Sequence, residues 1–150
     1  MFVIYTMHGT QETSKALRIL WLIIHTAFLY IAYSLCFDDG LIWISDLFGI
    51  DFSAGNMYRK SCLLSFGLIM YIRMNLTTFY LLKRKIPMDE FFAVIIGFAV
   101  YQIGFVLLGG WQSSPLKVLD ILGVLLFIIG SYVNTYSEMQ RKRFKDDPNN

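Results

Sequence analysis

An all-α integral membrane bundle of four transmembrane helices is the fold predicted for this chain, on three observations. Hydrophobic residues make up 56% of the sequence and aromatic residues 17%, well above the soluble average. They come in long blocks, not in the one-sided stripes of helices that face water. Lysine and arginine gather in alternate connections between those blocks.

A bilayer span takes about 20 mostly apolar residues. The blocks Ala16 to Phe37, Ser61 to Leu82, Phe91 to Gly109 and Val118 to Tyr136 meet that need. None alternates with period two, and an isolated segment in lipid satisfies its own backbone only as a helix. The first block is too long for a secretory-signal core and no small-residue cleavage site follows it, so it is expected to remain in the mature chain.

Four passes place Lys15 and Arg18, Lys83 to Lys85, and Arg141, Lys142, Arg143 and Lys145 on one side. The other side receives Arg59, Lys60 and Lys117 with Asp38, Asp39, Asp46 and Asp51. The positive-inside rule then puts both termini in the cytoplasm, of a bacterial inner membrane or an endoplasmic reticulum alike. A net charge of +2 gives no reason to expect a nucleic-acid partner.

The connections have their own character. Leu41 to Phe52 is apolar with sparse Asp and carries Trp43 and Phe48, which suits a short helix lying in the outer interface. In the inner turn Lys83 to Glu90, Pro87 suits the first turn of the next helix, with Asp89 and Glu90 at its positive dipole end. The short turn Gly110 to Lys117 predicts that the third and fourth spans form a hairpin. Ala93, Gly97 and Gly104 on the third, and Gly123 and Gly130 on the fourth, share faces at spacings that favour helix packing and self-association. Cys36 and Cys62 form no disulfide framework and no metal-ligand spacing, and read as small packing residues.

Polar groups within hydrocarbon cost several kcal/mol unless paired, so they ask for a reason. The inner half of the second span carries Tyr71, Arg73, Asn75, Thr77, Thr78 and Tyr80. Helical spacing puts Tyr71, Asn75 and Thr78 on one face and Arg73, Thr77 and Tyr80 on another. Arg73 lies too deep to snorkel comfortably and is expected to meet a polar cavity or a carboxylate. In the fourth span Gly130, Asn134, Glu138 and Arg141 or Lys142 climb one face toward the basic segment 137–150, with Lys145 a turn beyond. Such a stripe either holds phosphates and a ribose or serves as a topology anchor at anionic lipid. His25 reads as a packed neutral ring, and Asp120 as a cap or a wet interfacial acid.

The stretch Gly130 to Asn150 resembles the corresponding segment of the steroid 5-alpha-reductase-like membrane reductases. Asn134, Glu138, Arg141, Phe144, Lys145, Asp147, Pro148 and Asn150 match that family's Asn, acid, base and F-K-x-D-P-x-N pattern, with Glu138 where many relatives have Asp. The second span and its LLKRKIP turn also resemble the family's Tyr- and Arg-containing helix. The resemblance implies an NADPH-dependent reductase of a carbon–carbon double bond conjugated to a carbonyl, in a hydrophobic lipid-like or steroid-like substrate. It implies Asn134, Glu138, Arg141 and Lys145 as cofactor-binding, Tyr71 as catalytic, and Arg73 and Asn75 as substrate-binding. The family's second cofactor motif, His-Pro-Asn-Tyr-like, lies beyond Asn150, so the chain is expected to be the N-terminal membrane portion, inactive alone. Two alternatives stand beside this reading: an isoprenylcysteine methyltransferase-like fragment binding S-adenosylmethionine, and a non-enzymatic four-helix assembly protein.

Overall fold

A computed structural model of the chain describes residues 15–38, 40–49, 55–82 and 84–147. Among the described residues there is no strand, and the elements are α1 (Lys15–Phe37), α2 (Gly40–Phe48), α3 (Met57–Leu81), α4 (Met88–Gly109) and α5 (Val118–Asp146). The helices α1, α3, α4 and α5 are long and apolar enough to cross a membrane. Asp39, Asp51, Lys83, Pro148 and Asn150 lie outside the described residues.

The helix ends follow local chemistry. Helix α3 begins four residues before the apolar block because Asn56 caps it, its Oδ1 accepting from the N–H groups of Tyr58 at 3.0 Å and Arg59 at 3.3 Å. Pro87 stands one position ahead of α4 in extended conformation, and Asp89 and Glu90 fill the first turn. Helix α5 runs past the apolar block to Asp146, since the stretch from Ser137 on is built of good helix formers with no glycine or proline before Pro148. Helix α2 matches the expected interfacial segment, with Ile42, Trp43, Leu47 and Phe48 exposed along it.

The core lies between α1, α3 and α4. One apolar cluster centres on Ala32, Leu35, Cys36 and Val106. A second, nearer the basic end, centres on Trp21, Ile86, Phe91 and Phe98. Cys36 is buried in the first cluster and, like Cys62, is a free thiol. Helix α5 contributes no buried residue.

Two expectations about packing are corrected. Helix α5 does not chiefly pair with α4 but is held on α3, where Phe66 stacks on Phe127 with centroids 4.1 Å apart and Lys142 lies 3.5 Å from the Tyr80 ring centroid. The cause lies at the outer turn. The Arg59 guanidinium donates to Gln112, Ser114 and, at 3.0 Å, the Asp120 carboxylate, drawing the start of α5 toward α3. Asp120 also accepts from the Lys117 N–H at 2.6 Å, and so serves both as cap and as ion-pair partner. Nor do the small residues foreseen at helix contacts serve there: a Cβ at Gly97, Gly123 or Gly130 would meet nothing within 4 Å. Close approach occurs at Gly109, where a Cβ would lie 3.1 Å from the Leu63 side chain, and at Gly55, where φ is +69° and a Cβ would run into the Gly110 carbonyl.

Two helices contain a π turn: Thr77–Leu81 ends α3, and Val100–Gly104 interrupts α4. Such turns rotate the residues beyond them relative to a plain α-helix.

Arg18, Trp21 and His25 form an inward row on α1. His25 has no exposed surface and packs against the rings of Trp21, Tyr71 and Phe98, with centroids 4.6, 4.9 and 4.8 Å away. Neither ring nitrogen has a hydrogen-bond partner among the described residues. Replacing an unpaired polar ring by an apolar ring of similar shape removes a desolvation cost of about 1–3 kcal/mol. His25→Phe is therefore expected to match or exceed the wild-type resistance to unfolding in SDS. A clear loss of stability would reveal a hydrogen bond to an internal water.

Candidate functional site

At the basic end, α1, α3, α4 and α5 surround an open cavity of about 580 Å³. Its floor is apolar, formed by Trp21, Met74, Ile86, Phe91 and Val94. The rest of the lining carries charge: Arg73 within the α3 span, then Arg84, Arg141, Lys142 and Lys145 among the acids Glu90, Glu138 and Asp146.

The α3 side of the wall is shaped by its π turn. An α-helix ends with unpaired carbonyls, and here α1 supplies the missing donors. Arg18 Nη1 donates to the Thr78 carbonyl at 2.6 Å, and Nη2 to those of Leu82 at 2.7 Å and Arg84 at 3.3 Å. The Leu82 N–H closes the wide turn onto the Thr77 carbonyl at 2.8 Å. Arg18 is thus a buried cation held by backbone carbonyls rather than by a carboxylate, at the end of a helix whose dipole favours positive charge. With the turn fixed, Thr77, Thr78 and Leu81 all line the cavity.

The charges of the lining differ in how far they are engaged. Arg84 Nη2 meets Glu90 Oε1 at 2.6 Å, Arg141 lies 3.9 Å from Glu138, and Lys142 rests over Tyr80. Half-buried Arg73 has no hydrogen-bond or ion-pair partner among the described residues for its guanidinium. Of the two surroundings expected for it, the polar cavity is the one found.

Five of the seven residues singled out from the sequence come together here: Arg73, Asn134, Glu138, Arg141 and Lys145. Tyr71 and Asn75 do not line the cavity. The Tyr71 hydroxyl lies 2.9 Å from Thr26 Oγ1, and its ring covers His25, so it faces α1. Asn75 turns its amide back onto the Tyr71 carbonyl at 2.8 Å and leaves Oδ1 buried without a partner. Sequence reasoning missed Trp21, Arg84, Glu90 and Asp146 as lining residues, and the part of Arg18 in building the wall. The row Arg18, Trp21, His25 at spacings of three and four was the available signal that α1 turns polar groups inward.

A site with a greasy floor and a cationic mouth suits a ligand with an apolar or planar part and an anionic part. No protein-family model, curated protein or solved structure matches the chain.

Proposed function

We propose that this chain is the cofactor-holding membrane portion of an NADPH-dependent reductase acting on a lipid-like substrate, with the basic end in the cytoplasm. The observation that carries the reading is Arg73. An arginine within a membrane-spanning helix, facing a cavity and lacking an anionic partner among the described residues, leaves a charge for a ligand to neutralise. Arg141, Lys142 and Lys145 stand at the mouth for the phosphates, Asn134 and Glu138 offer an amide and a carboxylate to ribose or base, and the Trp21 and Phe91 floor accepts a planar ring. The bound dinucleotide supplies a hydride; what these residues do is grip, orient and shield it. The resemblance assigns a catalytic role to Tyr71, but Tyr71 faces α1, so no reduction step is derived through it. Charge separation between the two ends of the bundle supports the cytoplasmic orientation.

The test is a fluorescence titration of the detergent-purified chain with NADPH, with NADH and S-adenosylmethionine as competitors. Saturable binding is expected, about tenfold tighter for NADPH than for NADH because the extra phosphate meets a cationic mouth. Preference for S-adenosylmethionine would instead favour the methyltransferase-like reading. Failure of a folded chain to bind any of the three would overturn the proposal. A second, non-enzymatic reading rests on α5, which buries no residue and leaves Gly130 open to a partner helix; crosslinking in bilayers would detect self-association through that face.

A further inference from the structure

A second cavity, of about 400 Å³, lies toward the opposite end of the bundle, between α3, α4 and α5. Its lining is almost wholly apolar, with Leu63, Phe66, Phe105, Val106, Val124 and Phe127 among the side chains around it. Three polar residues interrupt that lining, Tyr101, Gln102 and Asp120, the last already engaged by the Arg59 guanidinium and the Lys117 N–H. Tyr101 and Gln102 both sit in the π turn Val100–Gly104. Gln102 is 3% exposed; its Nε2 donates to the Gly67 carbonyl at 3.3 Å, which leaves Oε1 as a buried acceptor with no partner among the described residues. A buried unsatisfied carbonyl in an apolar setting costs about 1–3 kcal/mol, which an incoming donor recovers.

We infer that this cavity binds an uncharged lipophilic alcohol, whose apolar body fills the space between α3, α4 and α5 and whose hydroxyl donates to Gln102. A ketone or an ether of the same shape offers only acceptors and leaves the Gln102 carbonyl unpaired. The ligand class therefore differs from the conjugated carbonyl substrate of the proposed reductase, and the inference does not depend on that reading. Gly123 provides the room. A Cβ there would meet nothing within 4 Å, and the residue itself lines the cavity.

The purified chain would be photolabelled with two diazirine probes, a sterol carrying a free hydroxyl and a hexadecyl alcohol, and the adducts mapped by mass spectrometry. Labelling by one of them on α3 and α5 around Phe66 and Phe127 is expected, and shows which kind of alcohol is held. The free alcohol should compete at least about tenfold better than its methyl ether. Gln102→Leu should erase that preference, and Gly123→Trp, whose side chain enters open space, should abolish labelling while keeping the wild-type thermal midpoint. Equal competition by alcohol and ether on the wild-type chain would overturn the inference, as would undiminished labelling of folded Gly123→Trp. Should Gln102→Leu not fold, these two comparisons still decide.

Discussion

Arg73→Leu is expected to weaken NADPH binding by about 10- to 100-fold while leaving the fold as stable as before or more so. A hydrogen bond to a charged group contributes about 1.5–3 kcal/mol, which sets the size of the loss. The sign of the stability effect follows from the absence of a partner: the substitution removes a half-buried cation and breaks no hydrogen bond or ion pair among the described residues. Titration at two salt concentrations, beside an SDS-unfolding midpoint, separates the outcomes. Loss of binding with an unchanged midpoint assigns Arg73 to the ligand. Loss of both would make it part of the scaffold and remove the main support for the proposed site.

Arg18→Met is expected to act the other way, costing about 3 kcal/mol of stability and weakening the same binding indirectly. The substitution strips donors from the carbonyls of Thr78 and Leu82, each worth about 1–3 kcal/mol when left buried and unpaired, and is partly offset by removing a desolvated charge. Arg18→Lys keeps the charge but loses the two-pronged reach, and should fall between the two. Hydrogen exchange gives the local readout: amides of residues 77–82 should lose protection before those at the start of α3. Uniform loss along α3 would mean that Arg18 serves the whole bundle and not the π turn.

The spans were legible because lipid demands continuous apolar length, a property that sequence carries directly. Their ends were less so. Asn56 extends α3 outward by capping it, and the polar helix formers after Ser137 prolong α5 beyond the hydrocarbon, both by chemistry that hydropathy ignores. The stripe of Asn134, Glu138, Arg141 and Lys145 was readable because α5 is a regular helix, so spacing gave its face correctly. The same reasoning failed on α3. Counting by 3.6 separated Thr77 from Thr78, whereas both line the cavity, Thr77 and Thr78 lying in the π turn that ends the helix. The place of Tyr71 in the site came from the resemblance alone; its hydroxyl is taken instead by Thr26, on another helix. Arg18 entered only as a charge that sets sidedness, because the positive-inside rule counts charges without asking what each one touches.

The lack of any buried residue on α5 has a consequence for how the two cavities communicate. Asn134 and Glu138 of this helix line one cavity, and Val124 and Phe127 line the other, yet it adds nothing to the core. Its docking free energy is accordingly small, and a ligand that ties α5 to α3 in either cavity adds to it. Whatever cost of ordering α5 the first ligand meets, the second is spared, so the two affinities rise together by equal factors.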